Sequence, residues 1–461
     1  MGARYNRATD TVAVGATMKD PVLTPTGISG GSGDVDITRP VAFKPIVQVV
    51  AGNALEIYDF MIYGYYARYI AQTFFPSDNE YVSLMLSLMT FAFGFLARPV
   101  GAIVLGSYTD RHGRRKGLIL ALSLMSLGII SVACTPSYAS IGVAAPVIVL
   151  LGRLLQGFSA GAELGGVVVY LAEIAPRKRR AFYTCWQAGS QQLSVMAASL
   201  IGLCMLYWLA PDALHAWGWR IPLLMGCAVI PVMFWLRSSL AETSVFATRK
   251  KTPRLSEICT SLASGWRTII LCMAMVSLAT VTSQTITTYA PTFIKTLNLG
   301  ESAGFIILFF GGLSVLCWLP VMANVADRVN RRTMLIVVTL LAGITAFPLM
   351  SWLASAPSIT KFAVVELWFS FIYAAYSSVQ VAAMVELVPK DARTSGYAFA
   401  QAVAAAVLGG FTPAILTWLT HAFHSSAMVG VWLAINALIS LIAALALDKQ
   451  ATVARQTAKL H

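Results

Sequence analysis

The sequence predicts an all-α integral membrane protein with twelve transmembrane helices in two six-helix bundles. Three observations predict it: an apolar composition, apolar runs of bilayer-spanning length grouped six and six, and two loop motifs that recur at matching places in both groups. The 461-residue chain is 57% hydrophobic and 11% charged, with a mean hydropathy of +0.71. A soluble domain carries about 25% charged residues. This chain cannot cover itself with polar surface, so lipid is its main solvent.

Runs near the roughly 20 residues that cross a bilayer fall at about 46–72, 83–108, 117–135, 144–173, 182–209 and 221–239. A second set falls at about 268–293, 302–326, 334–353, 362–388, 395–420 and 426–447. The expected organisation is a disordered tail over 1–45, a first bundle over 46–239, a linker over 240–267, a second bundle over 268–447 and a tail over 448–461. Residues 1–45 are rich in Gly, Ser and Thr, and "GISGGSG" reads as flexible chain with no cleavable signal peptide.

An even number of spans places both termini on one side, and Lys and Arg decide which. Of the 33 Lys and Arg, 27 lie in the tails, the 237–267 region and alternate loops. The other six are Arg68, Arg98, Arg153, Arg220, Lys295 and Lys361. Both termini are therefore expected to be cytoplasmic, in a cell inner membrane. The net charge of +13 belongs to those loops and does not mark a nucleic-acid binder. Seven cysteines show no C-x-x-C pair and read as small core residues. No metal site, cofactor or enzymatic constellation is expected.

Between spans 2 and 3 stands "GSYTDRHGRRKG", and between spans 8 and 9 "ANVADRVNRRTM". Both place Asp-Arg before Arg-Arg at one offset, with Asp110 and Arg114 matching Asp327 and Arg331. "EIAPRKRR" after span 4 and "ELVPKDAR" after span 10 share Glu, then Pro three later and Arg seven later. Two motifs recurring in two halves imply duplication about an axis along the membrane normal, with a site between the halves. Asp110 with Arg114 and Asp327 with Arg331, closed by Glu173 and Glu386, are expected to form gates that hold one conformer. His112 reads as a solvated loop residue, and Trp217 and Trp219 as interfacial anchors.

The chain resembles a major facilitator superfamily transporter. "GSYTDRHGRRKG" matches that superfamily's signature loop, and the resemblance implies the major facilitator fold. "GNALEIYDF", "FLARPVGAIVLG", "GRLLQGFSAGAELGG" and "WGWRIP" resemble the metabolite:H⁺ symporter family. Within it, "YLAEIAP", "CWQAGSQQ" and "YAPTF" are similar to the citrate–proton and tricarballylate symporters. The second half departs from them: "YSSVQ" stands where Tyr-Asn-Gly is expected in span 10, and "TSQTITTY" in span 7 is more polar.

Intramembrane polar residues define the candidate site. On span 1, Asn53, Glu56 and Asp59 at i, i+3, i+6 share a face. On span 4, Arg153, Gln156 and Glu163 lie along one stripe. Span 2 adds Arg98, span 5 Gln187 and Gln191, span 7 Gln284, Thr288 and Tyr289, and span 10 Tyr376 and Gln380. Two membrane arginines imply an anionic substrate, because guanidinium forks grip carboxylates with parallel hydrogen bonds. An acid in a membrane helix costs roughly 2.5–3.5 kcal/mol, and a carboxylate held between desolvation and a nearby arginine can load and release a proton. Glu56, Asp59 and Glu163 are thus the expected proton carriers, and Arg98 and Arg153 the expected anion clamps. The alternative is a structural role for Glu56 or Asp59, bonded to a neighbouring helix or to Arg98, and for Arg153 as a brace of span 4 against span 1.

The expectation is a monomeric proton-coupled symporter for a small polycarboxylate such as citrate or tricarballylate, with protons and the lipid bilayer as its other partners. A same-fold symporter for a dicarboxylate, an aromatic acid or a zwitterionic osmolyte is the runner-up. A channel or a non-transporting sensor is the rival from another class.

Overall fold

A computed structural model describes residues 43–112, 114–175, 179–238, 266–387 and 393–457. Among these, twelve long helices follow the expected order. α1 (Phe43–Tyr65) turns at Tyr66 and continues as Ala67–Phe74. α2 (Glu80–His112), α3 (Arg114–Cys134), α4 (Ala144–Ile174), α5 (Arg180–Trp208) and α6 (Arg220–Ser238) complete the first half. α7 runs over Trp266–Thr296 through a π-helical turn at Thr285–Tyr289. α8 (Glu301–Arg328), α9 (Arg331–Ser355) and α10 (Ile359–Leu387) follow. α11 joins Arg393–Ala404, π-helical Ala405–Gly410 and Thr412–Ala422, and α12 is Met428–Thr457.

Nine described helices are long and apolar enough to cross a bilayer, and ten if Pro211–Gly218 and Arg220–Trp235, bent by 47°, act as one span. Their outward faces carry large apolar side chains such as Leu127, Ile344, Leu438 and Ile442, while Tyr207, Trp208 and Trp235 are exposed near helix ends. That pattern suits a lipid belt with aromatic margins, since backbone groups are satisfied within each helix.

The halves meet most extensively along two helix pairs, α5 with α8 and α2 with α11. Advancing by six helices carries one pair onto the other, as the duplicated loops require. In the first half, α2 and α4 pack most extensively. Methyl groups placed on Gly157 and Gly161 would overlap the carbonyl oxygens of Gly94 and Arg98. Only glycine permits that backbone contact, and it sets Arg98 and Arg153 side by side on adjacent helices.

Three local expectations change. Trp219 is fully buried, edge-on to Phe74 at 5.7 Å with Arg220 over it at 4.3 Å, so it is a core residue; Trp217 alone of the two is exposed. Pro291 and Pro320 are expected from the sequence to kink or end helices, yet Pro320 lies inside an unbroken α8, whereas Pro291 opens the helical segment after the π turn. α12 continues to Thr457, beyond the expected end of span 12. Nearly all of the expected 1–45 tail and 240–267 linker lies outside the described residues.

Candidate functional site

The central polar groups form two ion pairs stacked along α1. Arg98 Nη2 lies 3.7 Å from Glu56 Oε1, and Arg153 Nη1 lies 3.1 Å from Asp59 Oδ2. All four side chains are at most 3% exposed. The three-residue spacing puts both acids on the α1 face that meets α2 and α4. Both guanidiniums lean on the Phe60 ring, 4.4 and 4.6 Å from its centroid. Phe95 stands 3.8 Å from Arg98, and Tyr63 4.4 Å from Arg153. Desolvated cation–π contacts of this kind contribute about 2 kcal/mol and offset part of the cost of burying the charges.

The two arginines have different surroundings. Arg98 faces a cavity of about 100 Å³ between the halves, room for several waters. Its Nε and Nη2 make no hydrogen bond. Arg153 is closed off behind Asp59 and Gln156, whose side-chain oxygens both accept from Nη1. It ties α4 to α1, the alternative its sequence context left open.

The cavity gathers Gln187 and Gln191 from α5, Gln284 from α7 and Gln380 from α10, as the sequence suggested. The remaining expected binding residues lie outside its lining. Asn53 donates to the Gln187 carbonyl at 3.2 Å and to Ser190 Oγ at 2.9 Å, bracing α1 on α5. Tyr376 donates to the Met275 carbonyl at 2.7 Å, and Tyr289 is buried against Phe293. The π turn adds a residue to α7 and shifts its face, so Thr287 reaches the cavity instead of Thr288. Thr288 donates to Gln284 Oε1 and packs where Gly64 of α1 leaves room.

Gln192 and Gln401 also line the cavity and were missed. The signal was present: Gln192 doubles the amide in "SQQL", and Gln401 is a lone amide in the apolar run of span 11.

The second-half loop shows its geometry. Asp327 accepts from the backbone N–H groups of Ala181 and Phe182, both at 3.1 Å, and lies 3.8 Å from Arg331. The carboxylate of one half thus caps the α5 N-terminus of the other, where unsatisfied N–H groups and the helix dipole favour an anion. The expected pairing of Asp with Arg is present, and the interhalf cap is added to it. The side chains of Asp110, Arg114, Glu163, Glu173 and Glu386 lie outside the described residues. On the opposite face, Lys295 pairs with Glu301 at 2.9 Å and covers the Tyr69 ring at 4.8 Å. Tyr65 meets Phe305 at 5.6 Å across the halves.

Two related helical halves that enclose a polar cavity, with a capped helix end on one face and packed aromatics on the other, define a multi-pass membrane carrier. Residues 49–413 match the profile of the Major Facilitator Superfamily, and the chain belongs to that family. It is 47% identical over 407 residues to the citrate-proton symporter of Salmonella typhi, covering 88% of this chain and 94% of that one. It is 46% identical over 415 residues to the citrate-proton symporter of Klebsiella pneumoniae, covering 90% and 94%. The partially occluded inward open structure of the xylose transporter XylE from E. coli superimposes with a TM-score of 0.72 at 17% identity, over 88% of this chain and 97% of that one. This last likeness shows the fold alone.

Proposed function

We propose that the protein is a proton-coupled symporter that takes up citrate, or a closely similar small polycarboxylate, by alternating access. It would act as a monomer in the inner membrane, with both termini and the basic loops in the cytoplasm. The observation that carries this reading is Arg98: a buried guanidinium that lines the interhalf cavity and holds the Glu56 carboxylate 3.7 Å from its Nη2. The relatives named for citrate and protons, nearly half identical over about nine-tenths of the chain, supply the substrate.

The chemistry follows from charge balance. With the cavity empty, Glu56 balances Arg98. A substrate carboxylate arriving in the cavity competes for the guanidinium, and Glu56 then takes a proton from the cavity water and becomes neutral. The arginine makes charge-assisted hydrogen bonds to the substrate, and the buried charge of the Arg98 cluster stays constant. The Arg98 cluster therefore carries no unbalanced charge through the low-dielectric core when the cavity changes sides, and the substrate's remaining charge travels among the amides. The glutamines supply neutral donors for the remaining carboxylates and the hydroxyl. Arg153 and Asp59 hold the α1–α4 scaffold against which Arg98 and Glu56 work.

The test is uptake by proteoliposomes under an inward proton gradient. Accumulation of labelled citrate that collapses with a protonophore is expected. Failure to accumulate citrate, tricarballylate, itaconate and common dicarboxylates would overturn the substrate class.

A further inference from the structure

The duplication sets a second position against Arg153. The 213-residue offset that carries Glu173 onto Glu386 also carries Arg153 onto Glu366. The 217-residue offset that carries Asp110 onto Asp327 carries Gly94 onto Gly311. The structure keeps the relation: a methyl on Gly94 would meet the Arg153 backbone and Cβ, and one on Gly311 would meet Glu366 Oε1 at 3.1 Å. In the first half this position holds a cation, with Asp59 from α1 balancing it. In the second half it holds an acid, 5% exposed, with no ion pair or hydrogen bond among the described residues.

The surroundings explain why. α10 packs on α5, α7, α8 and α9 and touches α4, whose charged residues are Arg153, Glu163 and Glu173, and α11, which carries Arg393 at its start. The charged residues of α8 lie at its ends, Glu301 and Asp327 with Arg328, and those of α9 are Arg331 and Arg332. α5 carries only Arg180, and α7 only Arg267 and Lys295. Lys295 is held by Glu301, while Lys361 on α10 itself donates to the Trp352 carbonyl at 3.0 Å. Tyr65 and Tyr373 are the nearby titratable hydroxyls of α1 and α10, and Tyr65 is bonded to Ser199 at 3.2 Å. Ser370, one turn along α10, has a buried hydroxyl without a partner, 3.3 Å from the same point above Gly311. An acid enclosed in this way is tolerated as its neutral, protonated form.

We propose that Glu366 is a second intramembrane proton-binding site, carried by the second half where the first carries Arg153. It lies seven residues from the start of α10, about 10 Å below the face opposite the basic loops. Opening of that face admits water. The carboxylate takes a proton from that water and keeps it as a carboxylic acid while the site is enclosed; it returns the proton to water when the halves rearrange. The inference rests on the symport reading and adds a proton to it.

The experiment uses the full chain in liposomes. Infrared spectra near neutral pH should show a protonated carboxylic-acid carbonyl band in the wild type that Glu366→Gln removes. Identical spectra would overturn the proposal whatever the substrate is. Glu366→Gln should keep citrate counterflow within about twofold of wild type, because exchange moves no net proton. Its citrate accumulation under a one-unit pH gradient should fall about tenfold, one proton fewer per cycle, and Glu366→Asp should restore it. An unchanged proton-to-citrate ratio in Glu366→Gln, or loss of counterflow in folded Glu366→Gln, would also overturn it. A wild type that neither exchanges nor accumulates citrate refutes the symport reading instead, and the spectra still decide Glu366.

Discussion

Gly157 of α4 lies against the Gly94 carbonyl of α2 so closely that a methyl group on Gly157 would overlap the oxygen. Backbone touches backbone there, and the contact fixes the spacing of Arg98 and Arg153. Gly157→Ala should therefore force the helices apart, at the roughly 1–3 kcal/mol typical of overpacking. Expected are a lower melting temperature and weaker citrate binding. A variant as stable and active as wild type would show that the helix crossing is adaptable.

Arg98→Lys keeps the charge and loses the fork. Hydrogen bonds to charged groups contribute about 1.5–3 kcal/mol, so citrate affinity should fall roughly tenfold to a hundredfold. Expression and melting temperature should stay near wild type, because Lys can still face Glu56. Calorimetric titration of the purified protein measures this.

Asn53→Ala separates scaffold from site. Asn53 joins α1 to α5 through two hydrogen bonds and lies outside the cavity lining. The variant should lose about 1–2 kcal/mol of stability, visible as a lower melting temperature, with the KM for citrate unchanged. A raised KM at full stability would return Asn53 to the binding surface.

Asp327→Ala removes the cap that one half places on the other. Loss of a helix cap costs about 0.5–2 kcal/mol, which shifts a two-state equilibrium by roughly 2- to 30-fold. A cysteine introduced at Ser377, which lines the cavity, should then be alkylated faster from the face bearing the basic loops. Unchanged labelling would show that the cap does not bias the conformers.

Much of this was legible in the residues. Span positions, the duplicated loops and the helix bearing Glu56 and Asp59 follow from hydropathy and spacing, because lipid forces every spanning backbone into helix and period 3.6 then assigns faces. The division of labour between the arginines was not legible. Arg98 and Arg153 look alike in sequence, and only the close α2–α4 crossing shows which one the cavity reaches. Thr288 was misplaced because a π turn shifts the face of α7 without a sequence signature. Glu366 was overlooked because it is a single acid in an apolar run; its meaning emerges when the repeat sets it against Arg153.

The central claim is that substrate binding at Arg98 drives protonation of Glu56. Proton uptake on citrate binding tests it most directly, measured calorimetrically in two buffers of different ionisation enthalpy near neutral pH. Wild type should take up a proton as citrate binds, and Glu56→Gln should bind citrate with that uptake abolished. Binding without proton uptake in the wild type, or undiminished uptake in Glu56→Gln, would contradict the mechanism.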